Sequence, residues 1–193
     1  DSTVLMTLPL GDDAYWGLEY TLPRGDSYVV RLRVVQKNLA GVIESNNRNL
    51  GVNWHQDLMR QEKGKMFEER NSALYYKYAG GSVENLSESK NETEERKAKI
   101  RWIGFKNQFF STVLIADRPF NTADFQSDVI KNKPYFLKSF STQAVVNDYD
   151  WNAEVPAQFS LFIGPNLYPL LSSLDHKTVA DEDLNLTKLI PLG

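Results

Sequence analysis

The chain has no cysteine. Disulfides, thiolate metal sites and cysteine nucleophiles are therefore excluded together. The absence fits an oxidising compartment, where a stray thiol is a liability, and equally fits many cytosolic proteins. Histidine is scarce, with two in the whole sequence. There is no run of about 18 apolar residues, the length a spanning helix requires. No charged and then apolar leader opens the chain, so no signal peptide is visible. There is no basic surplus either. A net charge of −3 argues against a nucleic-acid footprint. Internal repeats, a P-loop, a glycine-rich dinucleotide turn and a nucleophile elbow are all missing.

What is present is a ring-rich globular composition. Of 193 residues, 41% are hydrophobic and 12% aromatic. That length suits one domain, or one large sandwich, better than two. A chain of this size buries roughly 70% of the surface its unfolded form exposes. The sequence starts at Asp1 without Met, which reads as an excised fragment.

The longest apolar and aromatic run lies over 99–116. Alternation places Ile100 and Trp102 on one face and Arg101, Ile103 and Phe105 on the other. From Phe109 to Ile115 both faces turn apolar. This pattern predicts a central pair of core strands covered on both sides. Shorter strands lead in: Thr3–Leu8, Tyr15–Leu22 and Ser27–Gln36, the last two joined by the turn Pro23-Arg24-Gly25-Asp26 into an antiparallel hairpin. Arg24-Gly25-Asp26 spells an adhesion tripeptide, but turn chemistry accounts for all three residues. Val52–Met59 alternates again, and Gln61–Arg70 reads as a charged turn or short helix. Ala73–Tyr78 is a strand, Gly80-Gly81 a reversal, and Ser82–Leu86 pairs back. Residues 87–99 are too polar to bury and are expected as an exposed loop or solvated turn. Residues 117–134 are expected as a polar excursion anchored by Phe120 and Phe125. Tyr135–Val146 and Glu154–Ile163 return as strands. After Gly164-Pro165, Leu167, Leu170, Leu171 and Leu174 recur at helical spacing, with Pro169 tolerated in a first turn. Leu184–Leu192 is a short apolar tail. Asn85, Asn91 and Asn185 each open a glycan-acceptor tripeptide, relevant only in a eukaryotic secretory protein.

Chemistry is hard to find. His55 and Asp57 share a strand face, but a metal or acid–base site needs a third partner, and the other histidine, His176, sits in a polar loop. Two solvated side chains on an outer sheet face explain the pair as well. None of the 25 acidic residues stands in an apolar setting that would tune it. Trp16, Trp54, Trp102 and Trp151 are candidates either for core packing or for a cleft lining. The residues by themselves predict an all-β, sandwich-like domain without evident chemistry.

Several segments, in their order, resemble a known family. They are Trp54 with the charged stretch after it, Ser72-Ala73-Leu74-Tyr75-Tyr76, and Trp102-Ile103-Gly104 leading to Phe109-Phe110 and Leu114-Ile115. Phe162-Ile163-Gly164-Pro165 and Leu167-Tyr168-Pro169-Leu170-Leu171 follow. Together they resemble the periplasmic domain of the bacterial YidC/Oxa1-type membrane protein insertases, across essentially the whole chain. The resemblance implies a mainly antiparallel β-supersandwich, similar to the galactose-mutarotase-like fold, as a single periplasmic domain over 1–193. A short C-terminal helix closes it, with a helical and junction segment from about 165 to 193. A short apolar strand over Leu189, Ile190, Pro191, Leu192 and Gly193 would form the membrane junction.

The same resemblance implies a parent protein that inserts and folds inner-membrane proteins, alone or with the Sec translocon. The fragment would lie on the periplasmic side of the inner membrane as an accessory interaction or scaffold module. Its partners would be translocon components and nascent membrane proteins. No catalytic residue, cofactor, metal or nucleic-acid partner is implied. The fold kinship raises an alternative, a carbohydrate-binding or mutarotase-like sugar-active domain, with Trp54 and Trp102 as cleft aromatics. A generic secreted adhesion or structural sandwich is the third reading. Fold alone does not decide among them.

Overall fold

The structure is a computed structural model that describes residues 1–44, 46–175 and 182–191. In chain order its strands are β1 (Ser2–Pro9), β2 (Tyr15–Leu22), β3 (Val29–Lys37) and β4 (Leu50–Met59), followed by helix α1 (Lys65–Arg70). Then come β5 (Ala73–Tyr78), β6 (Val83–Asn85), β7 (Glu92–Arg96), β8 (Ile100–Lys106), β9 (Phe110–Phe120) and β10 (Thr122–Val129). β11 (Phe136–Val146), β12 (Ala157–Pro165), helix α2 (Tyr168–Asp175) and a 3-10 turn (Leu186–Leu189) complete the described chain.

Two sheets result. The large one has the order β1-β2-β3-β12-β9-β8-β5-β6, the small one β4-β11-β10-β7. Every ladder between these strands is antiparallel. The expected all-β architecture with a short C-terminal helix is therefore the observed one. The small sheet covers one face of the large sheet, and Ile103, Phe105, Phe120, Phe125 and Phe140 fill the space between them. α2 and the strap 182–191 belong to the opposite face, where Trp102, Val113, Phe162, Leu171 and Leu184 form a second core. The middle of the large sheet is thus covered twice, and β8 is buried at every residue.

Ile100 and Trp102 do not share a face, contrary to the plain alternation of the sequence. A bulge interrupts the β8–β9 register between them and another interrupts β5–β8 at Lys77/Tyr78. One extra residue flips the strand's side chains, so Ile100 joins the inter-sheet core while Trp102 joins the core beneath α2. Arg101, at the bulge, is almost fully buried and donates to the Ala116 and Asp117 carbonyls and to the Glu182 carboxylate. Glu182 also accepts from the Gly80 N–H, and lies 3.6 Å from buried Lys77. Burial would push the Glu182 carboxyl up, but these donors and cations outweigh it and hold it below the usual carboxylate range. The cluster ties the strap to the sheet.

Three further expectations need correction. Residues 87–99 are not simply a loop, since β7 pairs with β10 as the edge of the small sheet. Its inner face is closed by Arg96, which pairs with Glu94 and donates to the Tyr76 hydroxyl at 2.9 Å. Charged side chains also suit an edge that must not recruit other strands. Residues 117–134 are mostly strand: β9 runs to Phe120, and β10 buries Ala123, Phe125 and Ser127 while Asp124 and Gln126 face out. Phe120 and Phe125 are the anchors expected. The apolar tail is a 3-10 turn rather than a strand, with the Leu186 and Thr187 N–H groups bound to Asp175.

One carboxylate of α1 is also buried. Glu68 is fully buried, and its carboxylate accepts the N–H groups of Gln61 and Glu62 at 3.0 Å. Next to it, buried Lys106 and Lys138 donate to the carbonyls of Asn71, Ser72 and Glu88 at 2.5–2.6 Å. These bonds fix the chain as it leaves α1 and enters β5. Burial lowers both lysines, Lys138 to about 8 despite the opposing pull of Glu69 and Glu88.

Candidate functional site

Four strands cannot cover eight. The small sheet ends at β4, and the large sheet continues past it through β12, β3, β2 and β1. An apolar cleft of about 340 Å³ opens where β4 meets this overhang. Trp16, Leu18 and Tyr20 of β2, Leu32 of β3 and Leu161 of β12 form its floor, and Trp54 of β4 stands at its wall. A volume of this size falls at the small end of the range for ligand pockets.

Strand register extends the floor beyond the cleft. Val4, Met6 and Leu8 of β1 stand opposite Tyr20, Leu18 and Trp16 of β2. Directly opposed residues lie on one face of a sheet. The cleft floor therefore runs without a break to the free edge of the large sheet. Val4, Met6 and Leu8 are 61%, 62% and 59% exposed. The reverse face is mostly polar, with a Thr3–Thr21 hydroxyl bond and a Glu19–Arg33 ion pair beside the exposed Leu5. One side of the overhang is thus an uncovered apolar strip, and contiguous exposed apolar surface marks interaction sites.

The aromatic rims are held by their surroundings. The Trp16 indole N–H donates to the Tyr149 hydroxyl at 3.1 Å, and that hydroxyl donates to the Gln36 amide oxygen at 3.0 Å. Gln36 in turn donates to the Asp150 and Ala153 carbonyls at 2.8 and 2.7 Å. Burial pushes the Tyr149 phenol up to about 12, with the Trp16 N–H opposing, so it stays a neutral link. Trp54 stacks on Phe105 at 3.8 Å between centroids and 18° between planes. Trp54 is therefore both a core and a cleft residue. Aromatic faces fixed before any ligand arrives lower the ordering cost of binding.

The cleft is lined almost entirely by apolar and aromatic side chains. Among the described residues its lining offers Asn53, the Tyr20 hydroxyl and the indole N–H groups of Trp16 and Trp54 as polar side-chain groups, with no carboxylate, histidine or lysine. Sugar anomerisation requires an acid and a base across the ring, so the sugar-active alternative finds no support in this cleft. His55 and Asp57 do pair, at 3.2 Å, but on the outer face of the small sheet with the imidazole 61% exposed. His176 lies outside the described residues. No grouping of three histidines or carboxylates suited to a metal occurs among the described residues.

The other candidates separate. Trp102 is fully buried beneath α2, donating its N–H to the Leu184 carbonyl at 2.7 Å, and lies on the face away from the cleft. Trp151 packs on Tyr149 at 4.3 Å. Leu189 is fully buried and Ile190 partly so, both in the core beneath α2, while Pro191 is exposed. Leu192 and Gly193 lie outside the described residues. The apolar strip of β1 went unread in the sequence. The available signal was Ser2–Pro9 itself, eight residues without a charge and with Val4, Met6 and Leu8 at alternate positions.

Comparison with known proteins gives one consistent result. The family model of the YidC periplasmic domain matches residues 1–193. A curated membrane protein insertase YidC from Parabacteroides distasonis is 37% identical over 192 residues, covering 100% of this chain and 30% of that protein. That from Azobacteroides pseudotrichonymphae is 35% identical over 189 residues, covering 98% of this chain and 30% of the relative. That from Bacteroides fragilis is 32% identical over 193 residues, covering 100% and 31%. The chain thus spans just under a third of the length of these relatives. No helix among the described residues is long and apolar enough to cross a membrane.

Proposed function

The chain belongs to the YidC periplasmic domain family, and from that premise we propose that it is the accessory, non-catalytic domain of a membrane protein insertase. It sits on the periplasmic side of the inner membrane as one domain over 1–193. It holds extended apolar stretches of client membrane proteins while the membrane-embedded part of its parent inserts them. Contact with the Sec translocon belongs to the same reading. So does a connection through Leu189 to Gly193 toward the membrane.

One observation carries the proposal: the apolar strip that runs from the cleft across β2 to the free edge of β1. A free antiparallel edge offers unpaired backbone groups to an extended segment. Met6, Leu18 and Trp16 offer that segment's alternate side chains a dry surface, where each buried methylene adds roughly 0.8 kcal/mol. The lining carries no charge, so an apolar client leaves no buried ion unpaired.

Site-specific photo-crosslinking in the insertase that bears this domain tests the reading. A photoreactive residue at Met6 or Leu18 should capture a membrane protein during its synthesis. The same probe at Glu19 or Thr21, on the polar face of the same strand, should not. Equal capture from both faces, or none from either, would discard the proposal.

A further inference from the structure

We propose that one end of the sandwich, remote in kind from the cleft, is a docking surface for an anionic lipid bilayer. Six connections meet at that end: the β2–β3 turn, the β4–β5 connection with α1, the β6–β7 loop, the β8–β9 tip, the β10–β11 loop and the β12–α2 corner. Strand direction places them together, because β2, β4, β6, β8, β10 and β12 end where β3, β5, β7, β9 and β11 begin. Backbone bonds join neighbours among them. The Ile163 N–H donates to the Tyr28 carbonyl at 2.9 Å, the Asn166 N–H to Phe109 at 2.7 Å, and the Arg60 N–H to Tyr135 at 2.8 Å.

Exposed apolar side chains gather there. Phe109 and Phe110 project at the β8–β9 tip, Leu167 and Tyr168 at the α2 corner, and Met66 and Phe67 on α1. Phe67 is 65% exposed and Tyr135, on the β10–β11 loop, 69%. A groove of about 580 Å³ lined by Tyr28, Met59, Phe110 and Ile163 joins the tips into one surface. The opposite end, by contrast, exposes Leu8, Val42 and Val155 as large apolar groups among the described residues. Aromatic and aliphatic tips arranged around one end match the interfacial zone of a bilayer, where amphipathic rings reside.

Charge selects a bilayer over a generic apolar partner. Arg60, Lys63, Lys65, Lys131 and Lys133 sit beside the apolar tips, with Arg24, Arg70 and Lys90 on the same end, against the exposed acids Asp1, Asp26, Glu62 and Glu88. Among the described residues Arg60, Lys63, Lys131 and Lys133 have no carboxylate within 4.0 Å. The whole chain is net negative, so this basic rim runs against the composition. The opposite end presents Asp12, Asp13, Glu44, Asp148, Asp150 and Glu154 together with Lys37, Arg48, Lys97 and Lys99, and so has no basic surplus. Apolar tips within a basic rim give the two signals that stable surface binding combines.

The absence of cysteine makes the test clean. Single-cysteine variants of the 193-residue chain, Phe109→Cys, Tyr168→Cys and Val155→Cys, are labelled with an environment-sensitive fluorophore. They are then titrated with phosphatidylglycerol-containing vesicles and, separately, with phosphatidylcholine vesicles. The label should brighten and shift to the blue at 109 and 168 with the anionic vesicles, and stay unchanged at 155. The charge reversal Lys63→Glu, Lys131→Glu and Lys133→Glu should weaken binding about tenfold or more and remove its salt dependence, with the circular dichroism spectrum unchanged. No response at 109 and 168, an equal response at 155, or indifference to the charge reversal would each overturn the proposal. So would preferential binding of a membrane-protein partner in detergent with no binding to vesicles.

Discussion

β8 and β1 belong to the same sheet and meet opposite fates. β8 carries Arg101 and Lys106 and is buried along its whole length, whereas β1 carries no charge and is exposed along its whole length. Side-chain polarity alone would have assigned them the other way. What separates them is position: β8 lies between the small sheet and the layer of α2, and β1 lies beyond both. A covered strand can keep its cations because neighbouring carbonyls and Glu182 satisfy them. An uncovered strand that keeps its apolar side chains presents them to solvent, and contiguous apolar surface of this kind marks interaction sites.

If coverage governs the energetics, truncation should separate the two strands widely. Phe105 is 1% exposed, stacks on Trp54, and lies 5.5 Å from the Phe140 ring. Phe105→Ala should cost about 3–5 kcal/mol, through lost transfer energy and a residual cavity. Met6→Ala should fall within about 0.5 kcal/mol of zero. Urea unfolding of both variants gives the comparison. Comparable losses would mean that β1 is covered in solution.

A second measurement sharpens the covered side. Lys138 is fully buried and drawn down to about 8 by burial, against an ordinary 10.5 in the unfolded chain. Between those values the unfolded state binds the extra proton, so stability should rise with pH. The penalty is complete below about pH 8 and is relieved as pH climbs toward 10.5. Lys106 is displaced in the same direction. Burial raises Tyr75 to about 12, which opposes this trend only above its ordinary 10. From pH 8 to 10 the unfolding free energy should therefore gain up to about 2 kcal/mol, and Lys138→Met should flatten that slope. A flat native profile would mean that water reaches the site.

Much of this fold was legible in the sequence. The β2–β3 hairpin, β4, β5, β11 and the Pro169-initiated helix followed from period-two and period-three-to-four patterns with their turn residues. β7 and β10 were obscured because edge and outer-face positions carry Glu, Asp and Gln, so composition hid the alternation. The bulge at Arg101 was invisible because a single inserted residue leaves no compositional trace. The buried charges of Glu68, Lys106 and Lys138 depend on carbonyls and N–H groups whose meeting is tertiary. The site was legible in part: Trp54 was singled out, and Trp16 was counted among the possible liners. Their union with Val4, Met6 and Leu8 required the strand order, which no local pattern supplies.

The smallest change in stability should accompany the sharpest change in binding. Leu18 is half-buried at the middle of the strip. The decisive measurement is the affinity of the 193-residue chain for an uncharged, extended apolar peptide, read from the fluorescence of Trp16 and Trp54, in the native protein and in Met6→Lys and Leu18→Lys. The account predicts saturable binding that weakens about tenfold or more in each variant, with Met6→Lys melting close to the native temperature. Native-strength binding by Met6→Lys and Leu18→Lys, both folded, would contradict it.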